Sequence, residues 1–142
     1  MIDQINLIIC ESDMDKPYKL LIIDDSEEIL TALCNYFTKK KYDVVSASNG
    51  LDGLKFLDEQ GETFDLVITD LVLPNISGVA VISIVKNRFP KTPIIAITGW
   101  GEHPEALAKE AQADLVLEKP FKLPKLEKAA KKLLTNPTSD KD

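Results

Sequence analysis

The feature that most constrains this chain is an alternation. Short Val/Ile/Leu runs recur from Lys19 onward, each followed by a helix-length amphipathic stretch, and most runs stop at a polar residue. Lys19–Ile23 reads KLLII and stops at Asp24-Asp25. Tyr42–Ala47 stops before the Asn49-Gly50 turn, Phe64–Thr69 at Asp70, Pro93–Ile97 at Thr98, and Asp114–Leu117 at Glu118-Lys119. Runs that are apolar at successive positions suit strands covered on both faces, as in a parallel sheet. Helices are predicted from Ser26 to about Lys40, with Ser26 as cap and Ile29, Leu30, Leu33, Cys34 and Phe37 as the buried stripe. Further helices are predicted over Leu51–Glu59, with Gly61 as a stop signal, over Gly78–Phe89, and over Glu102–Gln112. A last one opens at Pro124 and carries Leu126, Ala129, Ala130, Leu133 and Leu134. The pattern predicts an α/β fold: a five-stranded parallel sheet with helices on both faces.

At 142 residues the chain is the size of one domain. We read residues 1–16 as an N-terminal extension, disordered or upstream of the natural start, 17–135 as the domain, and 136–142 as a flexible tail. Lys and Arg total 17 against 23 Asp and Glu, a net charge of −6, which argues against a nucleic-acid binder. No apolar run reaches the ~18 residues of a membrane span, and the first ten residues lack the basic leader of a secretory signal. These features predict a cytoplasmic protein without membrane or nucleic-acid partners. Cys10 and Cys34 form no metal or disulfide framework with the single His103, and both read as reduced thiols.

The polar residues at the strand ends carry the chemistry. In a doubly wound sheet of order 2-1-3-4-5, functional groups gather beyond the carboxyl ends of the strands. That order brings Asp24, Asp25, Asp70, Thr98 and Lys119 to one edge. Two carboxylates ~5 Å apart at an effective dielectric near 20 repel by about 3 kcal/mol, so three of them call for a cation. All-oxygen ligands with open positions suit Mg²⁺. A hydroxyl and an ammonium opposite the metal complete a pocket for a transferring phosphoryl group, with an Asp beside the metal as candidate nucleophile.

The runs LLIIDD, DLVITDLVLPNISG, IIAITGW and DLVLEKPF together resemble a bacterial response-regulator receiver domain, stand-alone and similar to the chemotaxis receivers, over roughly Tyr18 to Leu134. The resemblance implies the flavodoxin-like receiver fold, Asp70 as phosphoacceptor, and Mg²⁺ held by Asp24, Asp25, Asp70 and the backbone carbonyl of Val72. It implies Thr98 as the switch hydroxyl, Lys119 as the partner of the phosphate, and a cis Lys119–Pro120 bond. It also implies a sensor histidine kinase or phosphotransfer protein as donor, a downstream protein partner, and a monomer or phosphorylation-dependent dimer. Such a chain is a switch that catalyses only its own phosphorylation and slow dephosphorylation. The tail after Leu134 is too short for an output domain, so docking or phosphorelay is expected. One position departs from the pattern: Val116 stands where the family commonly has Tyr or Phe. Leu71, Val72, Gly99 and Trp100 make the rim apolar, which is expected to slow water attack on an acyl phosphate.

Two other readings compete. A pseudo-receiver that no longer accepts phosphate gains weak support from Val116 and is opposed by the intact polar set. An aspartate-nucleophile phosphohydrolase would place a second Asp at position 72, where this chain has Val72. Taken singly, Asp24-Asp25 is also a helix-start signal, Thr98 a strand end, and Lys119 a solvated charge. The Lys39-Lys40-Lys41 run reads as a solvated helix end.

Overall fold

Leu20, Leu21 and Ile22 have no exposed surface and Ile23 only 1%, so the first strand is covered on both faces, as its unbroken apolar run requires. A computed structural model describes residues 16–99 and 112–135. In chain order the elements are β1 (Lys19–Ile23), α1 (Glu27–Lys39), β2 (Asp43–Ala47), α2 (Gly50–Gln60) and a 3₁₀ turn (Gly61–Thr63). Then come β3 (Leu66–Asp70), α3 (Gly78–Arg88), β4 (Ile94–Thr98), β5 (Leu115–Glu118) and α4 (Leu123–Thr135). The strands form one parallel sheet in the order β2-β1-β3-β4-β5.

Side chains alternate between two core layers, as the strand period of two dictates. Leu20, Ile22, Leu66, Ile68, Ile95 and Ile97 face one layer, where Leu33 and Phe37 of α1 meet Leu126, Ala130 and Leu133 of α4. Leu21, Ile23, Val67 and Ala96 face the other, under Leu57 of α2 and Val81, Ile82 and Val85 of α3. Three helices begin at the carboxyl edge of the sheet with a side-chain cap. Ile29 N–H donates to Ser26 Oγ at 3.4 Å, Asp52 N–H to Asn49 Oδ1 at 2.8 Å, and Ala80 N–H to Ser77 Oγ at 3.2 Å. Each cap satisfies a backbone donor that the helix leaves open, so the loops bearing the site end on fixed points.

The predicted architecture and strand order hold, with local corrections. β3 and β4 end on Asp70 and Thr98 rather than before them, because Asp70 still pairs with Ile97 and Thr98 with Glu118 in the parallel register. Tyr42 and Phe64 flank their strands instead of opening them. Tyr42 packs edge-on against Phe37, and Phe64 is buried at the foot of the sheet. Gly61 does not end α2 in a left-handed conformation. Its φ of −57° leads into the 3₁₀ turn, and the missing side chain leaves room for the Phe89 ring. The predicted helix Glu102–Gln112 lies outside the described residues except for Gln112, a turn residue with φ 72°. The extension (1–16, apart from Lys16), Cys10, Trp100, His103 and the tail (136–142) also lie outside them. Cys34 is a free, half-buried thiol.

Gly78 opens α3 directly behind β3, where a Cβ would overlap the backbone carbonyl oxygen of Asp70. That oxygen cannot move without disturbing the ladder, whereas the Phe89 ring behind Gly61 can turn. Gly78→Ala is therefore expected to lower unfolding stability by about 2–3 kcal/mol in urea titrations, and Gly61→Ala by clearly less. Equal losses at the two positions would contradict this account of the loop.

Candidate functional site

The sheet register assembles the site. Ile23 pairs with Thr69, so Asp24 and Asp70 emerge side by side from β1 and β3. Leu71 N–H donates to the Ile97 carbonyl at 3.0 Å and Lys119 N–H to the Thr98 carbonyl at 2.8 Å, extending the ladders past the strand ends. Asp24, Asp25 and Asp70 each offer a carboxylate oxygen, and the three oxygens lie within 4.8 Å of one another. Asp24 and Thr98 are fully buried, Asp70 is 5% exposed, and Asp25 faces solvent. The sequence-predicted site residues therefore come together at one edge.

Lys119 reaches back from the end of β5 into this cluster. Its Nζ donates to Asp70 Oδ2 at 2.8 Å and stands 3.2 Å from Asp24 Oδ2. The Lys119–Pro120 peptide is cis. The other Asp70 oxygen, Oδ1, accepts the Val72 N–H at 3.1 Å, and Asp24 Oδ1 accepts the Ser26 N–H at 2.9 Å. Two buried polar atoms have no hydrogen-bond partner among the described residues: Asp24 Oδ2, which the ammonium approaches without hydrogen-bond geometry, and Thr98 Oγ1. A buried oxygen left in this state is costly unless a ligand completes it.

Burial is the largest influence on Asp24 and pushes its carboxyl above the ordinary carboxylate value. The Asp70 charge pushes the same way, against the Ser26 N–H and the Lys119 charge. For Lys119, burial acts to lower the pKa. The hydrogen bond and charge of Asp70, followed by Asp24, outweigh it and hold the ammonium above its ordinary value. The result is three carboxylates around one firmly protonated lysine, with a negative excess. An orphaned anionic oxygen among hard oxygen donors fits a divalent cation such as Mg²⁺.

Val72 is 52% exposed and its side chain stands at the expected rim, whereas Leu71 is 2% exposed and packs into the core layer with Val81 and Ile82, so it is not part of that rim. Val116 pairs with Ala96 and packs against the layer beneath α2 and α3. A surface cavity of about 760 Å³ lies at the opposite edge of the sheet, lined by Tyr18, Lys19, Asp43 and Asp65 among others. It gathers none of the cluster's groups, so the chemistry points away from it. Sequence reasoning missed two contacts. The Val72 N–H that orients Asp70 is a backbone group, which no side-chain pattern reports. The Lys86–Asp114 ion pair, 2.8 Å, ties α3 to the start of β5. No helix among the described residues is long and apolar enough to cross a membrane.

The raised Asp24 pKa has a sign that can be tested. A folded-state value above the unfolded one means that the ionised group costs stability at neutral pH, and that acidification relieves this cost. Asp24→Asn keeps the acceptor for Ser26 and removes the charge. It is expected to raise the metal-free melting temperature at pH 7. The gain should shrink as pH falls through the folded-state pKa of Asp24. A lower melting temperature at pH 7 would contradict the assignment.

Comparison with known proteins agrees with this geometry. The family model described as response regulator receiver domain matches residues 20–131. The transcriptional regulatory protein GlrR of Escherichia coli is 35% identical over 97 residues, which are 68% of this chain and 21% of that protein. The alkaline phosphatase synthesis transcriptional regulatory protein PhoP of Bacillus subtilis is 34% identical over 104 residues, 72% of this chain and 42% of that one. The chain thus spans less than half the length of these curated relatives. The crystal structure of a response regulator receiver domain protein from Clostridium thermocellum superposes with a TM-score of 0.78 at 29% identity, covering 83% of this chain and 94% of that one. With the fold, the acidic edge and the family match in agreement, the chain belongs to the response regulator receiver domains of two-component signalling.

Proposed function

We propose that the chain takes a phosphoryl group from the phosphohistidine of a sensor kinase or phosphotransfer protein onto Asp70. The observation that carries this reading is the state of Asp70. One oxygen is tied to the Lys119 ammonium and the other to the Val72 N–H, so the carboxylate is fixed in orientation at a buried, otherwise anionic edge. In the transfer a carboxylate oxygen of Asp70 attacks phosphorus, the phosphorus–nitrogen bond breaks, and the electron pair leaves with the imidazole of the donor. Lys119 then pairs with the new phosphoryl oxygens. The Thr98 hydroxyl, buried and without a partner in the described structure, donates to them. Positioning and charge neutralisation account for most of the catalysis of such a step.

Asp24, Asp25 and Asp70, with the Val72 carbonyl, would hold the Mg²⁺, which supplies neutralisation of phosphoryl charge when bound. Thr98 is the group that moves toward the phosphate and so transmits the event. Val116 has no ring to swing in behind it, which places the readout in the chain following Thr98. The domain in this reading is 17–135, acting in the cytoplasm through a downstream protein, as a monomer or a phosphorylation-dependent dimer. Incubation with acetyl phosphate and Mg²⁺ should add the mass of one phosphoryl group to the wild type and nothing to Asp70→Asn. A wild type that gains no mass would favour the pseudo-receiver reading. Continuous turnover of p-nitrophenyl phosphate would favour the phosphohydrolase.

A further inference from the structure

The charge of this chain is unevenly placed. Residues 36–42, the end of α1 and the turn after it, and residues 122–135, α4 with its lead-in, together hold eight lysines and a single carboxylate, Glu127. All other residues hold nine basic and twenty-two acidic side chains, so a protein of net charge −6 keeps one strongly positive surface. The two segments adjoin on the same face of the sheet, where Leu33 and Phe37 pack with Leu126 and Ala130. The Tyr36 hydroxyl donates to Glu127 Oε1 at 2.9 Å, Lys131 Nζ lies 3.6 Å from Oε2, and Lys40 Nζ stands 5.6 Å over the Tyr36 ring. These contacts make one continuous flank and turn its only carboxylate inward, where Glu127 is 9% exposed.

What remains outward is cationic. Lys39, Lys40 and Lys41 are exposed, as are Lys122, Lys125, Lys128, Lys131 and Lys132. Of these eight, only Lys131 has a carboxylate within 4 Å among the described residues. Lys125, Lys128 and Lys132 follow the i, i+3, i+7 spacing of a single helical stripe, so like charges repel along α4 with no acidic neighbour between them. A solvated helix end accounts for three lysines. It does not account for the further stripe along the middle of α4, about 10 Å from Lys125 to Lys132, that adjoins them.

We propose that this flank docks an acidic protein surface. Charge complementarity supplies the attraction, and the partner relieves the repulsion along α4. The flank holds no arginine, the residue suited to forked phosphate recognition, and the whole chain is an anion that a uniformly charged nucleic acid repels. The apolar stripe of α4, Leu126, Ala130 and Leu133, is committed to the core and has nothing to insert into a bilayer. A protein with a localised acidic patch meets the lysines without bringing negative charge against the rest of the chain.

The probe is a labelled poly-L-glutamate of about 20 residues, followed by fluorescence anisotropy at low salt, about 50 mM, where surface charges are least screened. The wild type should bind it. Combined Lys125→Glu, Lys128→Glu and Lys132→Glu should weaken binding by about tenfold or more, and so should combined Lys39→Glu and Lys40→Glu on the neighbouring helix. Lys55→Glu, on α2 across the sheet, should change it less than about twofold, and thermal melts check that every variant is folded. Binding that ignores both flank variants, or that falls equally with Lys55→Glu, would overturn the proposal. So would a DNA duplex or phosphatidylserine vesicles held more tightly than poly-L-glutamate through the same lysines.

Discussion

The Lys119 ammonium lies 2.8 Å from Asp70 and 3.2 Å from Asp24, a single cation between two buried carboxylates. Without it, β1 and β3 would bring like charges together in a low-dielectric edge, a cost of several kcal/mol by Coulomb's law. With it, the charges are balanced only in part, since Asp25 joins the cluster from the solvent side. The lysine is thus sufficient to let the fold form and insufficient to neutralise the site. In the proposed reading, that imbalance is what a bound metal and an incoming phosphoryl group would offset.

The geometry is enforced by backbone, which explains its rigidity. Parallel pairing of β1, β3, β4 and β5 fixes the heights at which Asp24, Asp70, Thr98 and Lys119 leave the sheet. Gly78 lets α3 start against the Asp70 carbonyl, and the Ser26 and Ser77 caps anchor the flanking helices. Sheet, caps and glycine together hold the acidic oxygens within 4.8 Å of one another. The site residues sit at or just beyond the ends of four strands, so their backbones are held by ladder hydrogen bonds while the Thr98 side chain is left free to turn.

Most of this was legible in the sequence, for physical reasons. KLLII and IIAIT are apolar at successive positions, which only a doubly covered strand tolerates, and both became β-strands with buried faces. Asp24, Asp70, Thr98 and Lys119 stood out because polar groups ending apolar runs must share one edge. Strand ends were less legible. Asp70 and Thr98 pair within the ladder, and only the partner strands decide that. Gly61 does follow the last residue of α2, as its stop signal indicates, but the reason for a glycine there is not legible: one that admits a neighbouring ring and one that turns left-handed look alike in one dimension. Glu127 shows the same limit, since its burial follows from Tyr36, ninety-one residues away.

In the proposed reading, the incomplete charge balance around Lys119 creates a divalent-cation site. Calorimetric titration of the unphosphorylated chain with Mg²⁺ tests it most directly. One ion per chain should bind saturably, and Asp25→Ala, which removes the exposed carboxylate without disturbing the buried pair, should weaken that binding markedly. A titration that shows no saturable binding, or the same affinity in Asp25→Ala, would contradict the account.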